Sequence, residues 1–137
     1  MSTSNIDLVI VDDDPIIGKL LMKMLEEFDL KIKFYTDSEL AFEKIVQDRP
    51  KLVILDFTMP GLTGQELIVK FSEEMIFNTT SVVLFSAKKF NETEKIEMMT
   101  LGFEKIISKP IKKSELISIV EEGLGGLRKL SDYEEGA

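Results

Sequence analysis

The chain has 137 residues, of which 44% are hydrophobic and 31% are charged, and its formal net charge is −8 at pH 7. This length is sufficient for a single domain with a sizeable core. The negative charge argues against direct binding of nucleic acid or an anionic membrane. The sequence has no histidine and no cysteine, which excludes a Ser-His-Asp or Cys-His nucleophile, zinc held by histidine or cysteine, and disulfide bonds.

Neither a targeting segment nor a membrane span is visible in the sequence. The N-terminus has no basic region followed by an apolar one, so no signal peptide is predicted. No apolar run approaches the length that a transmembrane helix needs. We therefore expect a cytoplasmic protein without a membrane partner.

Five short hydrophobic runs alternate with helical patterns along the chain. They predict strands near residues 6–11, 31–36, 52–56, 81–86 and 105–108. The first, third and fourth runs are almost wholly apolar, which is typical of strands covered on both faces. The second run alternates between apolar and polar residues and is predicted at an edge of the sheet, and the short fifth run also suits an edge.

The first two helices are predicted from apolar residues at helical spacing. In the first, Asp14 is the expected N-cap and Pro15 occupies the permitted first turn. Its apolar stripe consists of Ile17, Leu20, Leu21, Met24 and Phe28. The second helix runs roughly over residues 38–47, with Thr36 and Glu39 at capping-box spacing. Its predicted inward residues are Leu40, Ala41 and Ile45.

Two later helices begin with capping-box patterns, Thr63 with Glu66 and Asn91 with Glu94. The predicted inward residues are Leu67 and Phe71 in one helix, and Ile96, Met99 and Phe103 in the other. A fifth helix begins beyond Pro110, and three glycines after residue 122 indicate where it ends. The alternation predicts an α/β fold with a parallel sheet over residues 1–125. Residues 126–137 are predicted to be a polar tail or the start of a linker.

Polar side chains follow four of the hydrophobic runs. Asp12-Asp13-Asp14 follows the first, Asp56 the third, Ser86 the fourth and Lys109-Pro110 the fifth. In an open parallel sheet, ligands bind outside the carboxyl ends of the strands, where such side chains meet. Carboxylates gathered there would repel one another, and a hard divalent cation with a nearby ammonium group would relieve the repulsion.

Over roughly residues 5–125, these residues make the chain resemble the receiver domain of two-component response regulators. The matching features are Asp12-Asp13, Asp56 followed by Met59-Pro60-Gly61, Ser86-Ala87, and Lys109-Pro110. The resemblance implies a flavodoxin-like (βα)₅ fold, a doubly wound parallel sheet with strand order 2-1-3-4-5. It also implies a cis bond before Pro110.

The resemblance further implies a function. Asp56 would accept a phosphoryl group from a phosphohistidine of a histidine kinase or phosphotransfer protein, with help from Lys109 and Ser86. Asp12, Asp13, Asp56 and the backbone carbonyl of Thr58 would hold Mg²⁺, with Mn²⁺ as an alternative. The protein would catalyse only its own phosphorylation and dephosphorylation, and would then switch the binding of a downstream protein or of a fused output domain.

The chain departs from the usual receiver pattern at three positions. Ile106 occupies the place, three residues before the site lysine, where the family usually carries Tyr or Phe. Phe103 replaces a small residue, and Thr63 replaces an acidic one. In this family, Thr58 and Lys88 occupy positions that are associated with the lifetime of the phosphoryl group.

Two other functional classes stay open. One is a pseudo-receiver, an interaction module that has the fold but no phosphotransfer, for which Ile106 is the motivating residue. The other is a metal-dependent phosphohydrolase that uses the Asp12-Asp13-Asp14 loop, although such enzymes need a cap or a longer fold and a different spacing. The sequence also leaves open whether the receiver stands alone or belongs to a longer regulator.

Overall fold

A five-stranded parallel sheet forms the centre of the computed structural model, which describes residues 5–135. Its strands are β1 (Leu8–Val11), β2 (Ile32–Tyr35), β3 (Leu52–Asp56), β4 (Ser81–Ser86) and β5 (Lys105–Ser108). They lie in the order β2-β1-β3-β4-β5, and each neighbouring pair is parallel. The predicted fold class and strand order are therefore confirmed, with β2 and β5 at the two edges.

Helices connect the strands and cover both faces of the sheet. They are α1 (Pro15–Met24), α2 (Ser38–Asp48), α3 (Gly64–Glu73), α4 (Glu92–Leu101), α5 (Lys113–Leu124) and a short α6 (Ser131–Glu135). A single 3₁₀ turn, Ile76–Asn78, precedes β4. Among residues 5–135, no helix is both long enough and apolar enough to cross a membrane.

Side chains satisfy the first backbone N–H groups of several helices. Asp14 caps α1 by accepting a hydrogen bond from the Ile16 N–H at 2.9 Å, as predicted. The capping boxes predicted for α3 and α4 are also present. The prediction for α2 was wrong, because Asp37 rather than Thr36 caps that helix. An aspartate at that position reaches the free N–H groups directly, so the capping-box spacing one residue earlier is unused.

Two hydrophobic clusters fill the two sides of the sheet. Along β1, Val9 and Val11 face one cluster and Leu8 and Ile10 face the other, because successive residues of a strand point to opposite faces. The first cluster packs α2, α3 and α4 against the sheet. The second packs α1 and α5. Both faces of the three central strands are covered, which explains why their sequences are continuously apolar.

Four residues predicted to face inward are exposed instead. The exposed fractions are 48% for Leu20, 42% for Leu40, 65% for Ile96 and 54% for Met99. In α4 the helix turns a neighbouring residue, Met98, toward the sheet, and Phe103 beyond the helix is buried as predicted. Apolar spacing indicates a helix, but it does not fix which apolar residues the sheet covers.

The chain continues past α5 to a short antiparallel bridge between Phe28 and Lys129 and then to α6. Residues 1–4 of the predicted domain and residues 136 and 137 of the predicted tail lie outside the described residues. The division into a domain and a tail stays a prediction.

Candidate functional site

Three carboxylates meet at the carboxyl edge of the sheet. Asp12 follows β1, and Asp56 ends β3, the neighbouring strand, where Val11 pairs with Leu55. Only 1% of Asp12 and 5% of Asp56 is exposed to solvent, whereas Asp13 is exposed. Each of the three offers a carboxylate oxygen, and these oxygens all lie within 4.8 Å of one another. The structure thus brings together the acidic residues that the sequence singled out.

Lys109 completes this cluster from the far end of the chain. Its Nζ atom lies 2.8 Å from Oδ2 of Asp12 and 3.2 Å from Oδ1 of Asp56. The lysine follows β5, and its peptide bond to Pro110 is cis, in agreement with the expectation from the resemblance. Its Nζ also lies 5.1 Å from the centre of the Phe85 ring. The half-buried ammonium therefore bridges two buried carboxylates.

The pKa values of the cluster follow from burial and from these contacts. Burial raises the pKa of Asp56 to about 6, and the nearby charge of Asp12 raises it too, while Lys109 and a hydrogen bond from the Thr58 backbone lower it. Burial alone would lower the pKa of Lys109. The hydrogen bond to Asp12 and the charges of both carboxylates outweigh that effect, so the pKa of Lys109 is raised. The ammonium therefore stays charged at neutral pH.

Backbone contacts fix the loops that carry these side chains. Asp12 accepts a hydrogen bond from the Asp14 N–H at 2.9 Å, which orients its carboxylate. Beyond β3, the buried Ser38 accepts a hydrogen bond from the Leu62 N–H at 2.9 Å and donates one to the Pro60 carbonyl at 3.3 Å. Ser38 was not singled out from the sequence, because its contact joins residues more than twenty positions apart. It anchors the loop that carries Thr58.

Ser86 lies at the same edge of the sheet, at the end of β4. It is 2% exposed, and its preceding residue, Phe85, pairs with Asp56. Its Oγ accepts a hydrogen bond from the Lys88 N–H at 2.9 Å. The hydroxyl is therefore part of the site edge and also holds the first turn of the loop after β4.

A second lysine, Lys88, makes contacts between the residue after β3 and the start of α4. The Nζ atom of Lys88 lies 3.1 Å from a carboxylate oxygen of Glu94 and over the rings of Phe57 and Phe90, at 5.5 and 5.2 Å from their centres. The two rings meet edge to face, with centres 5.2 Å apart. Neither aromatic was singled out from the sequence, although each stands directly beside a motif residue, Asp56 or Asn91. The contact joins the residue after Asp56 to the start of α4.

The donor set suits a hard divalent cation. All three side chains offer carboxylate oxygens, which Mg²⁺ and Mn²⁺ prefer over other ligands. Two of the residues are buried and the third is exposed. This arrangement leaves a solvent-facing side for the waters that Mg²⁺ usually keeps.

Comparison with known proteins identifies the family. A family model described as the response regulator receiver domain matches residues 8–121. The chain belongs to this family. Receiver domains interact with histidine kinases and with output domains.

Relatives of this receiver domain agree with that assignment. It is 32% identical over 130 residues to the response regulator GtcR of Aneurinibacillus migulanus, an alignment that covers 95% of this chain and 52% of GtcR. It is 26% identical over 138 residues to the 3′,5′-cyclic-nucleotide phosphodiesterase regA of Dictyostelium discoideum, covering 97% of this chain and 17% of that protein. The chain thus spans about half or less of these two relatives.

Among solved structures, the receiver domain of the Francisella response regulator 1452 is similar in fold, with a TM-score of 0.79 and 27% sequence identity. The match covers 88% of this chain and 98% of that one. The similarity therefore extends over nearly all of the (βα)₅ unit.

Proposed function

We propose that the protein is a phospho-accepting receiver of a two-component or phosphorelay system. In this proposal Asp56 takes a phosphoryl group from a phosphohistidine of a histidine kinase or phosphotransfer protein, and the change alters the binding of a downstream protein or output domain. The observation that supports it most directly is the convergence of Asp12, Asp13, Asp56 and Lys109 at one edge of the sheet.

The transfer is a displacement at phosphorus. A carboxylate oxygen of Asp56 forms a new bond to phosphorus, and the phosphorus–nitrogen bond of the donor breaks, with its electron pair remaining on the leaving imidazole. The sequence has no histidine, so the donor belongs to another molecule or to a segment outside this sequence. With a pKa of about 6, Asp56 is mostly ionised at neutral pH and is available as the nucleophile.

Lys109 supplies positive charge where the phosphoryl group arrives. Its ammonium already contacts Asp56 at 3.2 Å, and its stronger contact with Asp12, at 2.8 Å, holds it in place. We infer that it hydrogen-bonds a phosphoryl oxygen after the transfer and offsets part of the added negative charge. Ser86, at the end of the neighbouring strand, is inferred to donate its hydroxyl hydrogen to another phosphoryl oxygen.

Asp12, Asp13 and Asp56 are the residues that would hold Mg²⁺, together with the backbone carbonyl of Thr58. When bound, the cation neutralises charge on the carboxylates and on the phosphoryl oxygens. Asp12 and Asp56 are fixed by their hydrogen bonds from Asp14 and from Thr58. The chain's own contribution is therefore a set of oriented oxygen donors.

The chemistry that we propose is limited to this one aspartate. The protein promotes its own phosphorylation and dephosphorylation and turns over no separate substrate. Because the proposed donors are cytoplasmic signalling proteins, we place this receiver in the cytoplasm. No direct contact with nucleic acid or membrane is part of the proposal.

A pseudo-receiver is the second candidate, and Ile106 is the observation that favours it. Ile106 on β5 lines a cleft of about 410 Å³, together with Met99 on α4 and Ser118 on α5. Receiver domains usually carry an aromatic side chain at this position, and its ring moves inward when the hydroxyl at the end of the fourth strand is drawn to the phosphoryl group. Isoleucine has no ring that could move in this way. The complete set of acidic residues and Lys109 argues against this candidate.

Phosphorylation by a small donor distinguishes the two candidates. The protein is incubated with acetyl phosphate and Mg²⁺, and its intact mass is recorded. A phosphoryl adduct is expected for the wild type and for Asp14→Asn, since Asp14 only caps α1 and asparagine caps equally well. The adduct should be absent in Asp56→Asn. If the wild type gains no adduct at any Mg²⁺ concentration, the pseudo-receiver is favoured. If Asp56→Asn keeps the adduct, Asp56 is not the acceptor.

A further inference from the structure

The chain reverses direction after α5. Gly125 and Gly126 both have positive φ angles, 74° and 141°, and their N–H groups bond to the Glu121 carbonyl. The 141° angle at Gly126 is one that residues with a side chain rarely adopt. The reversal carries residues 127–135 back to the end of α1, at the opposite end of the sheet from the carboxylates.

The returning segment pairs with the backbone just beyond α1. The Asp29 N–H donates to the Arg128 carbonyl at 2.8 Å, and the Leu130 N–H donates to the Glu27 carbonyl at 3.0 Å. These two bonds flank the antiparallel bridge between Phe28 and Lys129. The segment therefore adds a very short antiparallel strand beside residues 27–29.

A side-chain contact fastens the far end of the segment. The hydroxyl of Tyr133 donates to a carboxylate oxygen of Asp29 at 2.7 Å, and the Arg128 guanidinium carbon lies 4.4 Å from the centre of the Tyr133 ring. Asp132 accepts from the Lys129 N–H at 3.1 Å at the start of α6. Asp29 is thus held twice, through its N–H group and through its carboxylate.

Leu127 packs against the second hydrophobic cluster, but beyond it the segment buries little apolar surface. Leu130 is 51% exposed and Tyr133 is 47% exposed, whereas the underlying Phe28 is only 9% exposed. Beside Leu130 lies a cleft of about 340 Å³, lined also by Leu25, Phe28 and Ile32. Exposed hydrogen bonds and half-exposed side chains are typical of regions that open without global unfolding.

We propose that residues 127–135 form a reversible strap, which closes over the end of α1 and opens as a unit about Gly125 and Gly126 while the sheet stays folded. The surface at the end of α1 is then covered by this chain's own segment, which contributes Leu130 to one wall of the cleft and is fastened by the contact of Tyr133 with Asp29. Opening exposes Phe28 to solvent and breaks the backbone hydrogen bonds that Glu27 and Asp29 make with the strap. The strap is independent of phosphoryl transfer.

Amide hydrogen exchange on the full chain, read by NMR, tests the strap. The amides of Asp29 and Leu130 are expected to be protected to a similar degree and to exchange at least tenfold faster than the amide of Ile54 in β3. Tyr133→Phe removes the hydroxyl donor and should speed exchange at both strap amides several-fold, with Ile54 unchanged. Tyr35→Phe makes the same change on β2 and should leave the strap amides unaffected.

A second variant acts through the backbone. Gly126→Ala meets no atom within 4 Å but strains the φ angle of 141°, so it should also favour the open strap and speed the same two amides. The proposal is overturned if Asp29 and Leu130 are unprotected, if they exchange only as slowly as Ile54, or if neither variant changes their rates.

Discussion

The ammonium nitrogen of Lys109 lies 3.2 Å from a carboxylate oxygen of Asp56, although the two residues are 53 positions apart in the chain. The same ammonium binds Asp12, so one cation offsets part of the charge of two buried acids. Asp56 nevertheless keeps a raised pKa of about 6, because burial and the charge of Asp12 outweigh the effect of Lys109. The site thus holds excess negative charge before any cation or phosphoryl group binds.

Replacing Lys109 by methionine tests this balance. Lys109→Met keeps much of the side-chain volume and removes the charge, so the pKa of Asp56 should rise above about 6 and phosphorylation by acetyl phosphate should slow. The loss of a partner for two buried carboxylates should lower the free energy of unfolding by about 1–3 kcal/mol at neutral pH. Carbon-detected NMR titration and urea unfolding measure the two effects.

Lys105→Met is the matched control for that change. Lys105 pairs with Glu122 at 2.7 Å, but both side chains are largely exposed, so removing this pair should change stability by less than about 1 kcal/mol. An Asp56 pKa that does not respond to Lys109→Met would contradict the electrostatic role of the lysine.

The raised pKa of Asp56 predicts how metal-free stability depends on pH. The unfolded state loses this proton near the ordinary value of 3.8 and the folded state near 6. The stabilisation from the protonated carboxyl is therefore complete below about 4 and is lost as pH rises through about 6. Asp56→Asn removes this titration, so its free energy of unfolding minus that of the wild type should increase from pH 4 to pH 7, because only the wild type loses stability over this range.

Magnesium reverses the sign of that dependence. The cation binds ionised carboxylates, so in saturating Mg²⁺ the stabilisation of the wild type by the metal should grow as pH rises. A wild-type minus Asp56→Asn difference that stays constant across this pH range without metal would show that the Asp56 pKa is unshifted.

The strand-end residues were predictable because parallel strands bring their carboxyl ends to one edge. Asp12 and Asp56 therefore lie close together regardless of how the helices pack on the sheet. The predictions of which residues of α1, α2 and α4 face the sheet were partly wrong. Leu20, Leu40 and Ile96 satisfy the apolar spacing and yet face solvent. Spacing does not say where a helix axis lies relative to the sheet.

The docking of the segment after α5 was not predictable for a different reason. Tyr133 and Asp29 lie 104 positions apart, and their contact leaves no local pattern in composition or spacing. It arises because the fold brings these two chain segments to the same end of the sheet. Lys109, in contrast, follows a strand, so it was expected at the carboxyl edge, where it contacts Asp12.

Asp13 and Asp14 are predicted to respond differently to magnesium. Wild-type Tm should rise with Mg²⁺ concentration, because binding to the folded state alone stabilises it. Asp13→Asn removes one of the clustered carboxylates and should require at least tenfold more Mg²⁺ for the same increase. Asp14→Asn should behave as the wild type. Thermal unfolding at a series of Mg²⁺ concentrations measures this, and equal responses of both variants would place Asp13 outside the cation site.

Gly64 controls how closely α3 approaches the end of β3. A Cβ atom at this position would lie 2.7 Å from the Asp56 carbonyl oxygen and 2.9 Å from the Phe57 Cα, and both are backbone atoms that cannot move aside easily. Gly64→Ala should therefore lower the free energy of unfolding by about 1–3 kcal/mol and slow phosphorylation, because the strand end must shift.

Gln65→Ala changes the next, exposed residue of the same helical turn and should have little effect on either property. Urea unfolding and the rate of adduct formation with acetyl phosphate provide the comparison. Unchanged values for Gly64→Ala would mean that the strand end tolerates displacement.

Helix α4 buries fewer residues against the sheet than α3 does, so α4 can shift its position more easily. Met98 is the residue that the helix buries, Ile96 and Met99 face outward, and the first turn is held by Glu94, which also binds Lys88. A small tilt of α4 would expose less of the hydrophobic core to solvent than a similar tilt of α3. Helix α3 buries four residues, Gly64, Leu67, Ile68 and Phe71. Any rearrangement of the loop between Ser86 and Lys88 should therefore be transmitted outward through α4.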